Sequence, residues 1–137
     1  MTPRPSPNLP ALLALLALAG CGTPQLVAQG SLSVVDVSPS DGAEAVPADA
    51  AQAVCFSQPL LAADATVARF WVADETGARA PELQVGLADG DGSCVRLAHG
   101  PLRPGVGAVI HVEKGVRAAQ GTAALPVEVE SRFKTAP

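Results

Sequence analysis

The chain has 137 residues, 48% hydrophobic and only 3% aromatic, with 13 glycines, 13 prolines and no tyrosine. That length allows one domain, and so many turn-forming residues exclude a helical bundle. A net charge of −4 and a pI near 5.0 remove the electrostatic case for nucleic acid as a partner.

Arg4 and the amino terminus give the chain a positive end, and residues 11–19 then form an unbroken run of alanine and leucine. As a helix such a run spans roughly 14–17 Å, about half a bilayer core, so it predicts a secretory signal and not a membrane anchor. Its end, Leu18-Ala19-Gly20-Cys21, resembles the lipobox of bacterial lipoproteins. The resemblance implies a lipoprotein signal peptide over residues 1–20. It also implies that Cys21 carries the lipid, palmitate included, and becomes the new N-terminus, with the membrane as its partner. Gly22, and no aspartate, follows the cysteine; under the enterobacterial sorting rule this implies the outer membrane. Residues 21–30 read as an acylated tether reaching roughly 30 Å. Arg4 leaves with the leader, so the mature chain is more acidic than the whole.

Residues 31–137 alternate apolar runs with turn signals. The runs are Leu32–Val37, Ala51–Phe56, Val67–Val72, Leu83–Leu87, Cys94–Ala98, Ala108–Val112 and Val127–Phe133. Between them lie Pro39-Ser40-Asp41-Gly42, Asp74-Glu75-Thr76-Gly77, Asp89-Gly90-Asp91-Gly92 and Arg103-Pro104-Gly105. Seven short strands so spaced predict an all-β sandwich. The 26 alanines argue for helix, most of all at Ala43–Ala53, but Pro47 interrupts that stretch. At Leu60–Ala68 no regular helix is expected beyond one short turn. Period-2 parity places Val54 with Phe56, Phe70 with Val72, Val95 with Leu97, and Ile110 with Val112 on inward faces. Val129 and Phe133 join them, with an irregularity expected between. The core is therefore expected to be built from valine, leucine and alanine, with few rings.

Subtracting Cys21 leaves Cys55 and Cys94, an even pair in an oxidising compartment, and so an expected disulfide. Parity turns both outward on their strands.

Val35-Asp36-Val37-Ser38-Pro39-Ser40-Asp41-Gly42-Ala43, Val46-Pro47 and Phe56-Ser57-Gln58-Pro59-Leu60 resemble the first half of a bacterial Ig-like domain. Leu102-Arg103-Pro104-Gly105, Gly115-Val116-Arg117, Gly121, Leu125 and Phe133-Lys134-Thr135 resemble its second half. The domain type is that of S-layer and other envelope proteins, and the likeness runs from about Leu32 to Thr135. It implies an Ig-like β-sandwich of about seven antiparallel strands over residues 31–137, with the strands of Cys55 and Cys94 as neighbours in one sheet. Ala108 stands where the family has tyrosine, so the tyrosine-corner hydrogen bond is missing. Ala118 stands where it has an acidic residue. The opening segment is also similar to periplasmic copper-resistance carriers, another Ig-like sandwich. Those bind copper through an N-terminal histidine and an Asp-Gly-His segment, and neither pattern occurs here.

Asp89-Gly90-Asp91-Gly92 has the carboxylate spacing that opens a calcium loop, but Gly100 occupies the position of its bidentate glutamate, and a tight turn explains the residues. Trp71 faces outward beside Arg69. The two are either a contact for an envelope protein or glycan, or a cover for the sheet with Arg69 stacked on the indole. His99 is expected in a loop and His111 at an outward strand position. Neither has a carboxylate or cysteine partner evident in the sequence, so no metal and no cofactor are expected. No nucleophile elbow, zinc-protease helix, phosphate loop or nucleotide fingerprint occurs, which argues against an enzyme. The expectation is a non-enzymatic, lipid-anchored envelope module for interaction or scaffolding, with copper carriage as the alternative.

Overall fold

Where β-branched and aromatic residues alternate with small or polar ones, the chain forms strands whose large side chains all point one way. The computed structural model describes residues 31–137; the signal peptide, Cys21 and the tether expected over 1–30 lie outside the described residues. The strands are β1 (Val34–Ser38), β2 (Ala43–Val46), β3 (Gln52–Phe56), β4 (Phe70–Asp74), β5 (Gln84–Leu87), β6 (Cys94–Ala98), β7 (Gly107–Val112) and β8 (Val129–Thr135). A single 3-10 turn at Ala62–Asp64 precedes β4, in agreement with the short turn expected there. The strands form two sheets, β1-β3-β6-β5 and β2-β8-β7-β4. The fold is an all-β sandwich of the Ig-like kind.

The inward faces meet where parity places them. Val54, Phe70, Val72, Val95 and Leu97 are wholly buried, with Phe56, Ile110, Val112 and Phe133 nearly so. Phe56 and Phe70, from opposite sheets, meet edge to face at 6.0 Å between centroids, an arrangement that suits the ring quadrupoles. The Cys55–Cys94 disulfide joins residues directly opposite each other on β3 and β6, with 4.0 Å between their Cα atoms.

The structure corrects the strand plan in four places. The described residues form eight strands and not seven; the addition is β2, inside the alanine-rich stretch. It pairs with β8 in parallel, Ala43 opposite Phe133 and Val46 opposite Thr135, so the sandwich is not wholly antiparallel. Second, β4 starts at Phe70 and not at Val67, because Thr66 accepts from the amides of Arg69 and Phe70 in a tight turn. Third, β8 starts at Val129 and not Val127, which follows Pro126 and stays exposed. Fourth, β8 has no irregularity: its ladder with β7 is continuous, and Ser131 takes the inward position between Val129 and Phe133.

The corner at Pro104-Gly105 has its clamp despite the absent tyrosine. The buried Thr135 hydroxyl donates to the Arg103 carbonyl at 2.7 Å and accepts the Val106 amide at 2.9 Å. Near Ala118, a carboxylate is supplied by Asp64. Its carboxylate accepts the Arg117 backbone amide at 2.9 Å and the guanidinium at 2.9 and 3.0 Å. These bonds from Arg117 hold the buried Asp64 carboxyl below the usual carboxylate range. Asp89–Gly92 is a turn, as expected: Asp91 accepts from the amide and hydroxyl of Ser93, and Gly90 and Gly92 take positive φ.

Candidate metal centre

The outward face of the β2-β8-β7-β4 sheet carries the side chains that parity excludes from the core. Register then decides which of them meet. Trp71 on β4 lies directly opposite His111 on β7, and His111 lies directly opposite Glu130 on β8. Glu113 follows the end of β7, two residues after His111, and Glu128 precedes the start of β8, two residues before Glu130. Alternation puts each of these pairs on one face of its strand. Four ligand-capable side chains therefore gather on one two-stranded ribbon.

The imidazole of His111 is the centre of the group, its side chain 14% exposed. Nε2 faces Glu113 Oε2 at 3.5 Å and Glu128 Oε2 at 3.6 Å, and Nδ1 faces Glu130 Oε1 at 3.7 Å. Nε2 is buried and makes no hydrogen bond. His111, Glu113 and Glu128 each offer one ligand atom, and these atoms lie within 4.8 Å of one another. Glu130 is paired with Arg132 at 3.1 Å. Among the described residues, neither Glu113 nor Glu128 pairs with a lysine or arginine. Convergent carboxylates repel one another, and a cation among them relieves that repulsion.

Aromatic packing fixes the ring. Trp71 stacks on His111 with 4.1 Å between centroids and 18° between planes. The guanidinium of Arg79 lies 4.1 Å from the indole centroid. It arrives from the free edge of β4, where Arg79 bridges to Ala73. Beyond Trp71 and His111 the face sinks into a groove over Ala73, Gly107 and Val109, with Glu75 and Arg132 at its margins.

The structure sorts the residues singled out in the sequence. Cys55 and Cys94 form their disulfide, and Cys21 lies outside the described residues. Trp71 is outward, as expected, but the cation on it is Arg79 and not Arg69. Arg69 precedes β4, and its guanidinium donates to the Lys114 carbonyl at 3.2 Å. There it lies 3.3 Å from where a Cβ on Gly115 would stand, and Gly115 has φ of 90°. His99 follows β6 in a loop, its Nδ1 against the Gly100 carbonyl at 2.6 Å. His111 is the correction: it has three carboxylate neighbours where none was expected. The signal for them was present in the alternations His111-x-Glu113 and Glu128-x-Glu130, but only the register joins the two.

The sequence has no Asp-Gly-His segment, so that part of a copper-resistance carrier's donor set is not matched. The His111 centre fits a metal ion on its own terms: a lone imidazole nitrogen without a partner faces two carboxylate oxygens.

No family model and no curated protein sequence matches the chain. Among solved structures it is similar to CopC from Methylosinus trichosporium OB3b, with 20% identity and a TM-score of 0.59 over 77% of this chain and 94% of that one. It is also similar to the N-terminal part of the bacterial S-layer protein SbsC, with 16% identity and a TM-score of 0.57, covering 90% of this chain and 28% of that one. A third likeness is to native alpha-2-macroglobulin from Escherichia coli, at 21% identity and a TM-score of 0.55, covering 88% and 34%. At these identities what is shared is the fold.

Proposed function

We propose that the protein is a non-enzymatic metal-binding module of the bacterial cell envelope. In this reading lipid on Cys21 anchors it, outer membrane favoured, and His111, Glu113 and Glu128 take a transition-metal ion. The observation that carries the reading is the buried, unpartnered Nε2 of His111 facing two carboxylate oxygens at 3.5 and 3.6 Å. Imidazole with carboxylates suits first-row divalent ions, among which Cu(II) binds most tightly at a given nitrogen and oxygen site. The sandwich shared with CopC and the opening segment similar to copper-resistance carriers support copper as the cargo. The ligands differ from those of the carriers, so the site is this chain's own. The lipobox supports the anchor.

The test is a Cu(II) titration of residues 31–137, a segment that contains all the described strands and the disulfide. Trp71 is the single tryptophan and stacks on the candidate ligand, so its emission reports occupancy. Saturable one-to-one quenching is expected, and it should disappear in His111→Ala and in the double variant Glu113→Ala/Glu128→Ala. Quenching that never saturates, or that survives His111→Ala, would overturn the reading. For the anchor, Cys21→Ser should abolish lipid labelling and leave the precursor uncleaved; a soluble mature form in the wild type would sink it.

A further inference from the structure

We infer that β5 is a docking edge for an extended segment of another protein, one with an uncharged centre and basic residues at both ends. The inference is independent of the metal-binding reading above, since β5 lies in the other sheet. An open strand edge presents unpaired amides and carbonyls, and proteins blunt such edges with charge, bulges or a covering segment. Three of the four edges here are blunted. β1 carries Asp36 beside a register shift, and β2 carries Glu44 within another. Along β4 the Ala78 carbonyl accepts the Asp74 amide at 2.9 Å, and the Ala80 amide donates to the Val72 carbonyl at 2.8 Å. β5 has none of these devices. Its sequence is Gln84-Val85-Gly86-Leu87, without charge or proline, and its ladder with β6 runs unbroken.

The register shows which groups this edge offers. The Ala88 amide donates to the Cys94 carbonyl at 2.9 Å. Alternation then turns the backbone of Gly86 and Gln84 toward β6, and the N–H and C=O groups of Val85 and Leu87 toward the open edge. An added antiparallel strand exchanges hydrogen bonds with those two residues. Its matching side chains fall beside Val85 and Leu87 on the core face, where Leu87 is 37% exposed. On the outer face Gly86 leaves a depression of about 250 Å³ beside Arg96 and Ala98. Nothing lies within 4 Å of where its Cβ would stand. Arg96 is exposed and has no carboxylate partner among the described residues. An aromatic side chain on the added strand fills that depression, covers the glycine and stacks on the guanidinium. Charge selects the occupant. Glu82 precedes the edge, and Asp89 and Asp91 follow it, so a second copy paired antiparallel brings acid against acid at both ends. A segment with lysine or arginine at both ends meets opposite charge instead.

The probe is the peptide acetyl-Lys-Thr-Val-Tyr-Val-Thr-Lys-amide, titrated into 15N-labelled residues 31–137 while the amide spectrum is followed. Its valines match Val85 and Leu87, and its tyrosine matches Gly86. Saturable shifts should centre on these three residues, and amide exchange of Val85 and Leu87 should slow as the peptide binds. Glutamate in place of both lysines should weaken binding by about 10-fold or more. A peptide N-methylated at both valines lacks the donors to the Val85 and Leu87 carbonyls and should not bind. Gly86→Lys has room for its side chain, so it should fold, as its own spectrum reports, and should lose the peptide by filling the depression with a like charge. No saturable shift at β5, equal affinity for the lysine and glutamate peptides, or binding that survives N-methylation would overturn the inference. A concentration-dependent dimer in sedimentation that Gly86→Lys abolishes would also overturn it, since the edge would then serve a second copy.

Discussion

Trp71 and His111 face each other across the β4–β7 ladder, their rings 4.1 Å apart and 18° from parallel. The pair couples an edge strand to the middle of its sheet, and Arg79 adds a cation 4.1 Å from the indole centroid. An aromatic pair contributes about 0.5–1.5 kcal/mol beyond its buried area, and a cation–π contact about 0.5–1 kcal/mol at an exposed site. Trp71→Ala should therefore lower the unfolding free energy by about 1–3 kcal/mol. Guanidinium unfolding followed by far-ultraviolet circular dichroism measures it, since the variant has no tryptophan left to report. An unchanged midpoint would mean that the stack has no energetic weight.

The Cys55–Cys94 bond ties β3 to β6 across a sequence separation of 39. In the chain-entropy account, closing such a loop restricts the unfolded chain and stabilises the fold by about 2–4 kcal/mol. Both residues lie on the outer side of the sheet, away from Val54, Phe56 and Val95, so removing the sulfurs leaves the core packing intact. The double variant Cys55→Ala/Cys94→Ala should thus fold but melt earlier, and reductant should shift the wild type to the same melting temperature. Identical melting curves with and without reductant would contradict this account.

Much of the sandwich was legible because burial in a strand follows parity, and parity is local. Phe70 and Val72, or Ile110 and Val112, declare their face within a few residues. β2 was not legible: Ala43-Glu44-Ala45-Val46 has the composition of a helix, and its partner is Phe133 to Thr135, at the far end of the chain. Ala45 even takes φ of 54° where the pairing shifts, a backbone choice that neighbouring residues do not announce. The candidate site failed to show for the same reason. His111 with Glu113, and Glu128 with Glu130, each reveal a shared face, but only the ladder pairing of His111 with Glu130 makes them one cluster. Arg79 likewise reaches Trp71 by the turn after β4, whereas Arg69 is closer in sequence and points to Lys114.

Asp64 gives the fold a defined response to acid. Its side chain is 5% exposed and is held by the amide and guanidinium of Arg117. Its folded pKa is lowered, so the ionised carboxylate adds stability above the unfolded value of about 3.9, and that stability is lost as pH falls toward the lower folded value. Asp64→Asn should cost about 1–3 kcal/mol at pH 7, because it weakens the bonds that Arg117 makes to a buried carboxylate, while the exposed guanidinium turns to water. The gap between wild type and variant should stay constant above pH 5 and narrow below about pH 4. Urea unfolding at stepped pH measures it, and a gap that does not change with pH would refute the linkage.

Ser131 sits where the core calls for an apolar side chain. It lies directly opposite Ile110, between the inward positions of Val129 and Phe133, and its residue is 4% exposed. Its hydroxyl is buried and makes no hydrogen bond, so β8 places an unsatisfied polar atom among valine, isoleucine and phenylalanine. An unpaired buried hydroxyl costs about 1–3 kcal/mol relative to its hydrated state. Ser131→Ala removes that atom and leaves a space no larger than the hydroxyl, so the transfer gain outweighs the lost contact. The variant should be more stable than the wild type by about 0.5–2 kcal/mol, visible as a higher urea midpoint at unchanged slope. A lower midpoint would mean that the hydroxyl is satisfied in solution, with a buried water as its partner.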